Sequence, residues 1–193
     1  HRQAEDNPII ALATAVRLGK KLQLGSFGES LVIPKEELQP EFVMNADQVL
    51  VGRNKTRRGS NNRIRELLGR VDKTPIPGDK IVCLKNNHDK GLLNGALWTI
   101  DGIGNISDDK IVMDINSIDD GSMLYDVFAH SHYFYGTEAD LQWWERKEAD
   151  EFDYGYALTV HKSQGSQWDD VLLFDESGAF REAKDKWLYT GIT

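Results

Sequence analysis

Short apolar runs that each end in a polar turn restrict this chain to few folds. Asp47 to Gly52 (DQVLVG) is a buried-strand pattern that runs straight into a basic stretch, RNKTRRGSNNRIRELLG, which reads as a helix closed by Gly69. Tyr154 to Val160 (YGYALTV) and Asp169 to Glu176 (DDVLLFDE) are two further strand patterns, and a helix is expected near Phe180 to Tyr189. Strand, short polar turn, helix is the grammar of an α/β domain. Between the last two strands lies HKSQGSQW, dense in hydrogen-bonding groups. A polar loop between buried strands of an open α/β sheet lies at a strand end, where such folds bind ligands.

The middle of the chain has another texture. TPIPGDKIVCLKNN opens with prolines and a glycine and continues as a strand from Lys80 to Leu84. LNGALWTIDGIG, DKIVMDI and SMLYDVFAH follow as short strands broken by Gly, Asn and Asp, a spacing that suggests a small antiparallel barrel or sandwich. Thr137-Glu-Ala-Asp is placed to cap a short helix running through Lys147. Near the start, Asn7 caps, Pro8 takes the first turn and Gly19 ends a helix whose Ile9, Ala13 and Val16 share a stripe. The reading is an α/β domain in two parts, residues 1–71 and 151–193, interrupted by a β insertion at 72–150.

Composition narrows the class. The 193 residues are 40% hydrophobic and 28% charged, as in soluble globular proteins. No apolar run is long enough to cross a bilayer and no leader pattern is read at His1, so no membrane partner is expected and the expected compartment is the cytoplasm. The lone Cys83 forms no internal disulfide and no Cys-rich zinc site. The net charge of −8 argues against a polyanionic partner, but its distribution does not. Gly52 to Arg70 carries seven Lys/Arg against Glu66 alone, while Asp101 to Asp153 carries fourteen Asp/Glu against three Lys/Arg. An anion-binding face and a solvated helix face fit the basic segment equally well.

In the polar loop, Thr159, His161, Lys162, Ser163, Gln164 and Gln167 supply donors of varied reach, and Gly165 lets backbone approach a ligand closely. Amides, hydroxyls and one cation suit phosphate oxygens, although an ordinary capped loop has the same composition. The stretch YALTVHKSQGSQWDDV strongly resembles motif V of superfamily 1 DNA helicases, in the RecD-like branch that includes phage helicases. Further matches stand in the expected order. His1-Arg2-Gln3 looks like motif IV, RNKTRRGSNNRIRELLG resembles the segment that follows it, and LYTGIT (Leu188 to Thr193) is similar to the start of motif VI. GDKIVCLKNN and LLNGALWTI resemble the SH3-like barrel that the family carries between these elements.

The resemblance implies a RecA-like (P-loop NTPase-type) parallel-sheet domain interrupted by that barrel, the second motor domain of an ATP-dependent 5′–3′ DNA helicase or translocase akin to the exodeoxyribonuclease V alpha chain. It implies that Arg2 reaches the γ-phosphate of ATP, a catalytic role suited to an always-charged guanidinium. Gln167 and Gly165 would contact the nucleotide. Asn54, Thr56, Arg57, Thr159, His161, Lys162 and Ser163 would contact single-stranded DNA or couple it to the nucleotide. The expected partners are single-stranded DNA, an N-terminal RecA-like domain of the same polypeptide and other replication, repair or recombination proteins.

The chain departs from the family in places. It holds no G-x-x-x-x-G-K-[ST] loop, so ATP is expected with magnesium whose ligands lie on the other domain, and no metal ligands are expected here. It stops one residue before the arginine of motif VI, and Ser60 stands where the family has an apolar residue. A fragment of a longer polypeptide, inactive alone, is therefore expected. The alternative from another class is a non-catalytic module that binds single strands or docks a protein through the acidic insertion. Trp143-Trp144 fits packing or a partner-facing role better than a base platform, and Asp175-Glu176 reads as structural.

Overall fold

The computed structural model describes residues 7–193, so Arg2 and the rest of the HRQ element lie outside the described residues. The chain forms two compact units, one made of residues up to Ser60 together with Ala157–Thr193, the other of Asn61–Tyr156.

The first helix starts as its sequence dictates. The Asn7 carboxamide oxygen accepts from the Ile9 amide at 2.9 Å, Pro8 needs no amide partner, and α1 runs Pro8–Arg17. Leu12, Ala13 and Val16 are its buried stripe. A small antiparallel hairpin of β1 (Gly25–Phe27) and β2 (Ser30–Val32) and a short helix α2 (Pro40–Asn45) lead to β3 (Gln48–Val51), buried at every position. Helix α3 (Asn54–Leu67) follows after two residues and ends at Gly69, whose φ of +76° lets the Arg70 amide donate back to the Arg65 carbonyl at 2.7 Å.

The second unit is antiparallel. Strands β4 (Lys80–Cys83), β5 (Leu97–Ile106), β6 (Lys110–Ser117) and β7 (Met123–His130) precede a short helix α4 (Ser131–Tyr135) and β8 (Phe152–Tyr154). They order as β7-β6-β5-β4-β8. Alternation decides which side is core: Ile111, Met113 and Ile115 of β6 point inward and meet Ile81, Trp98, Ile100, Phe134 and Phe152. The barrel expected from the resemblance does not close. Among the described residues no ladder joins β7 to β8, which is only three residues long; the two ends approach at a single bridge, where the His130 amide donates to the Asp150 carbonyl at 3.0 Å and the Asp150 amide to Phe128 at 2.7 Å. The helix expected from Thr137 to Lys147 is instead two single turns, Glu138–Asp140 and Glu145–Lys147. The Thr137 side chain makes no cap bond, and the Glu145 carboxylate takes the Gln142 amide, starting a new turn after the buried Leu141.

Asp79 is the polar centre of this unit. Its carboxylate, fully buried, accepts from Arg65 Nε and Nη2 at 3.1 Å each, Arg70 Nη1 at 2.8 Å, the Tyr156 hydroxyl at 2.9 Å and the Ile76 amide at 2.9 Å. Arg65 also donates to the carbonyls of Asp72 and Thr74 and lies 4.2 Å over the Tyr154 ring. Burial, with the Asp79 charge adding to it, pushes the Tyr156 hydroxyl up to about 12.

His130 is 1% exposed, and neither ring nitrogen has a hydrogen-bond partner among the described residues. Burial holds its pKa below the ordinary 6.5; His132 and Lys110 push the same way and Glu151 opposes them. The unfolded chain therefore takes up a proton that the folded chain refuses, so stability is complete above about pH 6.5 and falls as the pH drops below it. In urea titrations between pH 7.5 and 5, His130→Gln is expected to flatten this decline; an unchanged slope would show that another group sets it.

The chain then returns to the first unit. YGYALTV, read as one strand, divides at Gly155: Tyr154 ends β8 in the antiparallel sheet, and β9 (Ala157–Thr159) enters a parallel one. A Cβ on Gly155 would lie 2.9 Å from the carbonyl carbon of Ile81, so only glycine fits there. Strand β10 (Val171–Leu173) completes a three-stranded parallel sheet in the order β10-β3-β9. After a 3₁₀ stretch, Ser177–Ala183, helix α5 (Lys184–Ile192) packs against α1 and buries Trp187 and Leu188. Among the described residues no helix is long and apolar enough to cross a membrane.

Candidate functional site

In a parallel sheet all strands point the same way, so three connections leave one edge together. Here they are Gly52-Arg53 from β3 into α3, the turn from Val160 onward after β9, and Phe174 to Glu176 after β10. The sequence leads to this edge because each strand is short and is followed at once by polar residues.

The β9 turn is wound on itself. The Thr159 carbonyl accepts from the amides of Lys162 (2.8 Å) and Ser163 (3.2 Å), the Ser163 hydroxyl donates to the Val160 carbonyl at 2.9 Å, and the Ser166 amide donates to Ser163 at 3.0 Å. Thr159 and Ser163 are thereby buried and shape the loop. His161, Gln164, Gly165 and Gln167 are exposed, and Lys162 is half-buried. Gly165 has a φ of +92°, which glycine adopts without strain, and open space where a side chain would stand. The His161 ring meets Phe180 edge to face at 5.9 Å, and Phe180 stacks on Trp187 at 5.0 Å, tying the loop to α5.

The β3–α3 connection is organised by a residue read from sequence only as structural. Glu176 accepts from the amides of Gly52 (2.7 Å) and Arg53 (3.0 Å), from Arg53 Nε (3.1 Å) and from the Thr56 hydroxyl (2.6 Å). Burial alone would raise its pKa, but the bonds from Thr56, Gly52 and Arg53 outweigh it and hold the carboxyl below the usual 4.5. A Cβ on Gly52 would lie 2.8 Å from Glu176 Cβ and 3.0 Å from Phe180, so the glycine permits this approach. The signal in the sequence was an acidic residue directly after an apolar strand, facing a Gly-Arg turn that opens a helix.

The predicted residues thus have distinct positions. Thr56 is engaged by Glu176, and Asn54 Oδ1 accepts from Arg57 Nε at 3.4 Å while Arg57 itself is buried. The Gly52 and Arg53 amides just before α3, groups that suit a phosphate, already hold the Glu176 carboxylate, and Arg53 Nη2 lies 3.0 Å from it, while the β9 turn keeps exposed polar groups at this edge. Among the described residues no group of three or more His, Cys, Asp or Glu is placed to hold a metal.

Residues 154–193, from the end of β8 through the β9 turn to α5, match the UvrD-like helicase C-terminal domain. The structure resembles Bacteroides Pif1 bound to single-stranded DNA (16% identity over 99% of this chain and 47% of that one, TM-score 0.50). It resembles Pif1 from Candida albicans equally well in fold (11% identity, 100% and 52%, TM-score 0.50). A Pif1 structure described as two helicases coordinating at forked DNA gives 18% identity over 91% and 42%, also with a TM-score of 0.50. The chain spans about half the length of these helicases. Its mixed α/β fold is similar to the RecA-like helicase domain of Pif1, and its last forty residues match the UvrD-like helicase C-terminal domain.

Proposed function

We propose that this chain is the C-terminal motor part of an ATP-dependent DNA helicase or translocase of the RecD-like type, moving 5′ to 3′. The observation that carries the reading is the exposed polar turn after β9, standing at the strand-end edge of a parallel sheet inside the segment with the helicase match. The DNA-bound Pif1 of similar fold supports single-stranded DNA as the ligand. Residues 1–71 and 151–193 would form the RecA-like domain and 72–150 its insertion. ATP would lie between this domain and an N-terminal RecA-like domain of the same polypeptide, which would also hold the magnesium. Arg2 would reach the γ-phosphate, and Gln167 with the open backbone at Gly165 would contact the nucleotide.

On the strand side, His161 and Lys162 would face the DNA backbone, with Thr159 and Ser163 fixing the turn that presents them. Asn54, Thr56 and Arg57 would act at the β3–α3 turn, where Glu176 already takes the Thr56 hydroxyl. Closure on ATP and opening after hydrolysis would step the two domains along one strand. Lys162→Ala in the full-length protein is expected to lower DNA-stimulated ATPase roughly tenfold, a loss of about 1.4 kcal/mol, while basal turnover persists. The chain by itself is expected to turn over no ATP. Unaltered stimulation in the variant, or turnover by the isolated chain, would count against the proposal.

A further inference from the structure

One aromatic stack joins three separate pieces of the strand-end edge. His161 is exposed on the β9 turn, Phe180 is half-buried in the 3₁₀ stretch after β10, and Trp187 is 3% exposed in α5. The imidazole meets the Phe180 ring edge to face at 5.9 Å, and Phe180 lies almost parallel to the indole, 5.0 Å away with 11° between the planes. Phe180 also covers the end of β3, where a Cβ on Gly52 would come within 3.0 Å of its Cε2. Aromatic pairs favour particular geometries, so a turn of one ring is felt by the next.

Two observations mark the stack as more than packing. Trp187 Nε1 is buried without a hydrogen-bond partner among the described residues, which native interiors rarely leave. Arg181, directly after Phe180, has a φ of +47° with a ψ of −115°, a backbone conformation that L side chains seldom adopt. An unmet donor and a strained peptide on either side of one ring cost free energy that a shifted stack would recover. There is room for the shift, because a cleft of about 320 Å³ lined by Ile10, Ala13, Thr14, Arg17, Tyr189 and Thr193 lies between α1 and α5. We propose that the His161–Phe180–Trp187 stack couples the strand-facing turn to the nucleotide side, with Phe180 as a positioning residue that touches neither ligand, resting on the helicase reading for what the two ligands are. A strand engaging His161 would turn the imidazole, Phe180 would follow, and Trp187 would pass the shift to α5, which packs on α1, the helix that follows Arg2 in sequence.

Coupling between two ligands is reciprocal, so equilibrium binding alone measures it. Oligo-dT affinity of the full-length protein is determined with and without a non-hydrolysable ATP analogue, and the ratio is the coupling factor. In the wild type this factor is expected to differ from one by at least about fivefold. Phe180→Leu, which keeps apolar bulk and removes the ring, is expected to bring it within about twofold of one, while each ligand alone binds within about threefold of wild type. Phe180→Tyr keeps the ring and should keep the coupling. Adding His161→Leu to Phe180→Leu should lower it no further, because both changes break one chain of contacts. An unchanged factor in Phe180→Leu overturns the proposal, as does an equal loss in Phe180→Tyr. Weakening of both ligands in step, with the factor kept, assigns Phe180 to folding alone and overturns it too. A wild type that binds both ligands without coupling refutes the stack's role and leaves the helicase reading standing; one that binds neither refutes both.

Discussion

Asp79→Ala is expected to lower the unfolding free energy by about 3–5 kcal/mol, the scale for breaking a buried ion pair from one side. The reason lies less in what Asp79 adds than in what its removal strands. Arg65, with a side chain 4% exposed, would keep its charge in the interior facing only carbonyls and the Tyr154 ring, and the Ile76 amide and Tyr156 hydroxyl would lose their acceptor. Asp79→Asn, retaining shape and one acceptor, should lose less. Urea unfolding of the two variants measures the difference. A cost for the alanine variant below about 1 kcal/mol would mean that water reaches Arg65 and that the charge is not stranded.

Glu176→Ala is expected to cost about 2–3 kcal/mol, because charged hydrogen bonds of partly buried groups contribute about 1.5–3 kcal/mol and this carboxylate gathers several in one place. It also sits at the positive end of the α3 dipole. The effect should be local. Amide hydrogen exchange at Gly52 and Arg53 should accelerate more than exchange across β5 and β6, whose ladders lie in the other compact unit. Uniform acceleration, or none, would remove Glu176 from its role as the organiser of the strand-end edge. Acid adds a second check. Because the folded carboxyl is held below its usual range, its contribution is present above about pH 4.5 and fades as the pH falls through the lowered value.

Much of the parallel sheet was legible because its evidence is local. Val49 to Val51 and Val171 to Leu173 are apolar runs bounded by polar turns, Asn7-Pro8 names a helix start, and Gly69 names a helix end. The β9 turn was legible as a polar loop, and its chemistry became specific only through the motif it resembles. What was hidden depends on partners far along the chain. That YGYALTV serves two sheets is decided by the close approach of Ile81 to Gly155, which no period within the run records. Thr159 and Ser163 look like ligand groups in sequence; both are buried, and the Ser163 hydroxyl donates within the turn to the Val160 carbonyl. Glu176 looked inert because its donors sit before and within α3, across the whole insertion. The Thr137–Lys147 helix failed for a local reason, since a capping sequence does not ensure that the cap bond forms.

The seating of β3 between β9 and β10 has a consequence for biosynthesis. Val49 pairs with Ala157 and Leu50 with Leu173, so both flanks of this apolar strand stay bare while the ribosome makes everything in between. Translation at about 5–20 residues per second leaves that gap open for seconds, ample time for an antiparallel insertion with mostly sequential neighbours to settle first. Until then the nascent segment is an adhesive ribbon, and whatever shelters it decides how much of the protein survives its own synthesis.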